Sequence, residues 1–233
     1  MPMSAIEQRY KEACSSIEET CTACGRDPSQ VKLVCVSKTV GPETVGEAIS
    51  CGMNVFGENR AQDFRVKQER YPQAEWHFIG RIQTNKLHLV VGKAALIHSV
   101  ASIHVLQAVE RIAAREEVVQ DILLEVNTSG EESKDGFAEG DVPAALDAAR
   151  DCPHVVVRGF MTMAPHGDSV RARKAFGRLR ALQTTHRASY ADSSNISLTE
   201  LSMGMSEDYT IALQEGATIV RLGRSIFGYP TGE

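Results

Sequence analysis

Between Val31 and Thr39 the chain reads Val-Lys-Leu-Val-Cys-Val-Ser-Lys-Thr, alternating and then almost continuously apolar, and it stops at the turn signal Gly41-Pro42. This pattern predicts a short buried strand, and it recurs along the chain. Strand-like runs at 31–37, 54–56, 75–79, 95–100, 121–127, 155–161, 197–201 and 218–222 alternate with helix-period segments. The helices are expected at 42–50, 60–70, 84–91, 103–117, 142–150, 169–186 and 207–215, with 225–228 as a closing stub. Within 103–117, Leu106, Val109, Ile112 and Ala113 share one face. Ahead of the first strand, Ile6, Tyr10, Ala13, Ile17 and Cys21 recur at spacings of three and four, which predicts an extra N-terminal helix with one apolar stripe. Gly25-Arg26-Asp27-Pro28 ends it.

Eight strand–helix units in strict alternation predict an α/β fold: a single (β/α)8 TIM barrel with an extra N-terminal helix, one domain over residues 1–233. A doubly wound open sheet is the alternative. No G-x-G-x-x-G follows the first strand, as a dinucleotide-binding open sheet would show, and this favours the barrel.

Composition changes the picture little. A chain of 233 residues suits one α/β barrel. A net charge of -5 argues against a general nucleic-acid surface. No apolar run reaches membrane-spanning length, and Met1-Pro2-Met3-Ser4 leads into a charged amphipathic segment without a signal-peptide core. The expectation is a cytoplasmic protein with neither membrane nor nucleic acid as a partner. The CxxC at Cys21–Cys24 has no second pair and no nearby histidine, so helix-packing thiols rather than a metal site are expected.

The chemistry starts from Lys38, a lysine where a buried strand stops. Stripping water from an ammonium is costly, so such a lysine either reaches out to solvent or does chemistry. In a barrel, reactive groups lie at the C-terminal ends of strands and phosphate is commonly held by the loops after strands seven and eight. Ser202-Met203-Gly204-Met205-Ser206 and Gly223-Arg224-Ser225 occupy those places. Ser206 is suited to cap a helix starting at Glu207-Asp208. Glycine lets backbone N–H groups approach an anion, and Arg224 adds a full charge. Taken alone, these are equally well two ordinary capped turns.

Closure of the ring alters that balance, because strand one neighbours strand eight and Lys38 then faces the mouth that holds the turns. An amine beside a phosphate cradle suits a phosphorylated aldehyde or ketone held as an imine. Burial in an apolar wall or a neighbouring arginine would favour the free amine. Pyridoxal phosphate is the foremost ligand of this kind, and a sugar-phosphate aldolase substrate is its rival. Arg221 ends strand eight. Pointing inward, it meets a pyridine nitrogen, keeps it unprotonated and weakens the ring as an electron sink. The alternative is an ion pair inside the barrel with Glu200 or Glu125.

Five ordered motifs span nearly the whole chain: Val36-Ser37-Lys38-Thr39, Phe56-Gly57-Glu58-Asn59, His77-Phe78-Ile79-Gly80-Arg81-Ile82-Gln83-Thr84-Asn85-Lys86, Leu201-Ser202-Met203-Gly204-Met205-Ser206 and Arg221-Leu222-Gly223-Arg224-Ser225-Ile226-Phe227-Gly228. Together they resemble the YggS/PROSC family of pyridoxal phosphate homeostasis proteins. The resemblance implies a barrel like the N-terminal domain of alanine racemase. It also implies pyridoxal phosphate held as an aldimine at Lys38, and a role in buffering the vitamin B6 cofactor that affects amino-acid and keto-acid metabolism. By the same resemblance Arg221 partners the ring nitrogen, Ser206, Gly223 and Arg224 surround the phosphate, Ser202 and Met203 line that wall, and Asn59 lines the other side. The family often has threonine where this chain has Arg224, which leaves the backbone N–H as the contact there. Arg81 and Lys86 lie near the mouth, or are solvent-facing helix charges.

A racemase needs a base on each face of the bound amino acid. Lys38 serves one face. In relatives of this fold the other base comes from a further domain and a partner subunit, and here the sequence stops six residues after Phe227. His166, in the loop after strand six, is the one internal substitute, and loop histidines are more often solvated. The expectation is therefore a non-catalytic monomeric carrier with no catalytic residues. Apo forms of pyridoxal phosphate enzymes are its expected partners, and slow transamination or racemisation is expected only as a side activity. A pyridoxal phosphate-dependent amino-acid racemase or lyase is the first alternative, and a Schiff-base sugar-phosphate aldolase the second.

Overall fold

Eight parallel strands close on one another in sequence order, β1 to β8, and β8 returns to β1. The computed structural model describes residues 3–131 and 134–228. The strands are β1 (Lys32–Val36), β2 (Val55–Glu58), β3 (Glu75–Phe78), β4 (Leu96–Val100), β5 (Gln120–Glu125), β6 (Val155–Met161), β7 (Ile196–Ser202) and β8 (Ile219–Leu222). The helices are α1 (Ala5–Ala23), α2 (Pro42–Ser50), α3 (Ala61–Arg70), α4 (Ile103–Arg115), α5 (Val142–Arg150), α6 (Ser169–Ser189), α7 (Tyr209–Gln214) and α8 (Arg224–Phe227). This is the (β/α)8 barrel with an added N-terminal helix that the alternation predicts.

The strands read as nearly continuous apolar runs because both faces are covered. Val34, Val36, Leu96, Leu123, Met161 and Ile219 form a small core inside the barrel. Their neighbours, such as Cys35, Phe56, Ile97 and Val220, turn outward into the larger core beneath the helices. In α1, Ala13, Ile17 and Cys21 are buried as the stripe requires. Cys21 is fully buried and Cys24 exposed, so the two thiols occupy unlike environments. Two contacts brace α1 against the last elements, Arg9 Nε donating to the Ile226 carbonyl (2.8 Å) and Tyr209 Oη to Ser16 Oγ (2.8 Å), and just beyond the helix Arg26 donates to the carbonyls of Leu213 and Ala217.

Two local expectations are corrected. The segment expected as a helix over 84–91 is a 3-10 helix, Thr84–Leu89. Leu87 within it and Val90, its C-cap residue, are both buried and three residues apart, the period of that tighter helix. The second correction concerns α7, which starts at Tyr209 with Asp208 as its N-cap residue, so Ser206 does not cap it. Asp208 Oδ1 instead accepts from the Met205 N–H (2.6 Å), tightening the turn before the helix. Among the described residues no helix is long and apolar enough to cross a membrane.

Candidate functional site

At the C-terminal mouth the strand ends enclose a cavity of about 590 Å³, within the range of small-molecule sites. Lys38 reaches it from just beyond β1. The residue before it is tied down on several sides: Ser37 N–H donates to the Gly57 carbonyl (3.0 Å), Ser37 Oγ donates to Glu58 Oε1 (2.7 Å), and the Ser37 carbonyl accepts from Lys67 Nζ (2.8 Å). Lys67 Nζ also pairs with Glu58 Oε1 at 2.5 Å. This buried knot fixes the root of Lys38 and leaves its tip free. The side chain is exposed to the cavity rather than walled in by apolar groups. No hydrogen bond or ion pair engages its Nζ among the described residues.

Arg221 enters the same cavity from β8 and is almost completely buried. The ion pair with Glu200 or Glu125 is not what holds it. Its Nη1 donates to Ser202 Oγ (2.5 Å) and its Nη2 to the Thr162 carbonyl (3.0 Å), while Glu200 accepts from Thr218 Oγ1 (2.6 Å). Burial pushes the guanidinium down to about 10, opposed by Glu125 and Asp208, so it stays charged near neutrality. Burial pushes the Glu125 carboxyl up to about 7, with repulsion from Asp135 adding and attraction to Arg221 and Arg81 opposing.

The two turns meet as the ring closure demands. Ser206 Oγ lies 3.1 Å from Ser225 Oγ and accepts the Ser225 N–H at 3.3 Å. It therefore joins the loop after β7 to the start of α8. Gly223 sits flush on β1: a Cβ there would stand 3.2 Å from the Val36 carbonyl oxygen. Gly204 has φ +94°, and a Cβ on it would fall 2.6 Å from that of Ala212. Only glycine fits this turn, and the carbonyl of Gly204 receives the Arg221 N–H (3.0 Å). At the rim, Glu207 is clamped between Arg224 Nη2 (2.6 Å) and His166 Nδ1 (2.9 Å).

The cavity thus brings together Lys38, Asn59, Ser206, Arg221, Gly223 and Arg224. Ser202 and Met203 are not on its lining. Ser202 is fully buried behind Arg221, and Met203 lies in the helix-facing core. A smaller cavity of about 410 Å³ adjoins it through Asn59 and Arg81 and also takes in Arg60 and Lys86. Arg81 and Lys86 therefore border a recess next to the mouth. Sequence reasoning missed Met161, Met163 and Ile79 on the wall and Asp208 at its edge. The alternation of β6 carried a signal for the two methionines, since residues two apart share a face.

Residues 17–231 match the family described as alanine racemase, N-terminal domain. A pyridoxal phosphate homeostasis protein of Aquifex aeolicus is 40% identical over 229 residues, spanning 97% of this chain and 98% of the relative. One from Pseudomonas aeruginosa is 37% identical over 97% of this chain and 96% of its own. Among solved structures, PipY of Synechococcus elongatus with PLP bound has a TM-score of 0.78 at 31% identity, covering 91% of this chain and 100% of that one.

Proposed function

Because the chain belongs to the family of pyridoxal phosphate homeostasis proteins, built on the alanine racemase N-terminal domain, we propose that it binds pyridoxal phosphate at the C-terminal mouth and holds it through Lys38. The observation that carries this reading is the free Lys38 amine in one cavity with the charged Arg221 and the turns of Ser206, Gly223 and Arg224. The donor set fits the cofactor. Two N–H groups of Arg221 are used on Ser202 and Thr162, and the guanidinium has five. Donors thus remain for a ring nitrogen.

When bound, the cofactor supplies an aldehyde that an amine condenses with, releasing one water, and a conjugated ring that absorbs near the visible. Lys38 provides that amine from a root fixed by Ser37, Glu58 and Lys67. Arg221 stays charged and gives a proton to no one, so it disfavours protonation of the ring nitrogen. That suits holding the cofactor over transforming an amino acid on it, and we read the protein as a carrier without turnover. Apo forms of pyridoxal phosphate enzymes are the recipients we infer, with the protein acting as a monomer in the cytoplasm. Its six cysteines are free thiols, in keeping with a reducing compartment.

Borohydride reduction of the loaded protein, followed by peptide mass analysis, tests the reading. A phosphopyridoxyl group on Lys38, and no chromophore in Lys38→Ala, is the expected result. A sugar adduct, an adduct elsewhere, or a chromophore retained by Lys38→Ala would overturn it. Repeated turnover of a chiral amino acid would replace the carrier by a racemase or lyase, with His166 as the residue to examine.

A further inference from the structure

A line of polar groups crosses the inside of the barrel from its N-terminal mouth to Arg221. Lys32 Nζ donates to Glu75 Oε1 (2.5 Å), and His77 Nε2 lies 2.7 Å from the same oxygen. His77 Nδ1 is 2.8 Å from His98 Nε2, and His98 Nδ1 is 2.8 Å from Ser202 Oγ, which accepts from Arg221 Nη1 at 2.5 Å. His77, His98, Ser202 and Arg221 come from β3, β4, β7 and β8, so the line spans the barrel rather than following one sheet edge.

The two ends fix its direction. Arginine only donates. Glu75 only accepts, because its bond to His77 and, more weakly, Lys32 holds its carboxyl down at about 2 against the opposing effect of burial. Between such ends a hydroxyl and two neutral rings are fully satisfied in one way. Ser202 accepts from Arg221 and gives its hydrogen to His98 Nδ1; His98 gives its Nε2–H to His77 Nδ1; His77 gives its Nε2–H to Glu75. A second proton on His77 would set two N–H groups against each other, and one on His98 would deprive Ser202 of its acceptor. Burial pushes both rings below the usual imidazole range. Repulsion from His77, Arg221 and Lys32 adds to this at His98, while Glu75 and Glu200 pull the other way at His77.

We infer that this line is a directional lock on Arg221: His77 and His98, acting through Ser202, are positioning residues that hold the guanidinium in one pose. The neutral serine keeps the countercharge of Glu75 three groups away, so the carboxyl groups that act on Arg221 are Glu125 and Asp208 and not the far end of the line. That it meets a cofactor's ring nitrogen there rests on the proposed function. The lock itself is a property of the protein alone.

Long-range proton–nitrogen NMR of the histidine rings in the cofactor-free protein tests it directly. At neutral pH both His77 and His98 are expected as the Nε2–H tautomer with a bare Nδ1. Either ring carrying its proton on Nδ1, or doubly protonated, would overturn the lock. The second arm uses pyridoxal phosphate with Ser202→Ala and the conservative Ser202→Thr. Loss of a hydrogen bond to a charged group predicts about tenfold weaker retention and a shifted absorbance maximum in Ser202→Ala. Ser202→Thr should restore both. Retention and spectrum unchanged in Ser202→Ala would refute the positioning role. If the wild-type protein forms no chromophore, the binding reading falls, and the tautomer spectra still decide the lock.

Discussion

Lys32 and Lys38 stand six residues apart at the two ends of the same strand, and the barrel treats them oppositely. At the N-terminal end the charges close on each other: Lys32 pairs with Glu75 (2.5 Å) and Arg158 with Asp121 (2.7 Å). At the C-terminal end Lys38 has no partner among the described residues. The rim carboxylate Glu207 is turned instead toward Arg224 and His166. One end satisfies its own charges and the other keeps an amine available. Its stabilising contacts are moved one layer back, to the buried Ser37–Glu58–Lys67 knot. An amine kept bare for a ligand needs a rigid root, because freedom at the root would have to be lost again on binding.

The sharpest way to break this contrast is to remove each lysine in turn. Lys38→Ala is expected to abolish the lysine-linked chromophore completely, whereas Lys32→Ala leaves the absorbance spectrum of the loaded protein in place. A spectrum lost equally in both would erase the distinction between the two ends. Next in size is Lys67→Met, which strands Glu58 as an uncompensated buried charge; Glu58 Oε2 already lacks a partner. Urea unfolding should show a loss of about 3–5 kcal/mol, with much of it recovered when Glu58→Gln is added. A loss below about 1 kcal/mol would mean that the knot does not hold the root of Lys38.

Glu125 gives a pH signature to the C-terminal end. Its folded-state pKa of about 7 lies above the ordinary 4.5, so the folded protein keeps a proton that the unfolded chain has lost. The resulting stability is full below about 4.5 and is lost as pH rises through about 7. Glu125→Gln should therefore melt higher than the wild type at pH 8, by on the order of 2–3 kcal/mol, and show a flatter profile between those limits. A parallel pair of melting curves would contradict it. The smallest effect is expected at the opposite end, where cutting the partly exposed Lys32–Glu75 pair with Lys32→Ala should change thermal stability by no more than about 1 kcal/mol.

Much of this was legible in the sequence. Apolar runs alternating with helix-period segments mark a barrel because strands covered on both faces have few other homes. Lys38, Arg221 and the two glycine turns were legible because the mouth of a barrel is where strand ends must be. Ser202 and Met203 were harder. Whether a residue at a strand end faces the mouth, a deeper layer or the helices depends on pairing register. Ser202 lies opposite Ile219, one layer below Arg221, and Met203 faces the helices. The capping role expected of Ser206 failed because the helix starts later than its polar sequence suggests, and the hydroxyl bridges to Ser225 instead.

By itself the sequence determined the order of the elements, the closed ring and the placing of Lys38 at the end of the first strand, because period and turn chemistry are local properties of the backbone. Tertiary structure alone decided which charges are paired and which are left bare. It also decided that residues 77, 98, 202 and 221, far apart in the chain, form one hydrogen-bonded line. Hydrogen bonds act over about 3 Å, and no local pattern specifies which groups ring closure will bring that close.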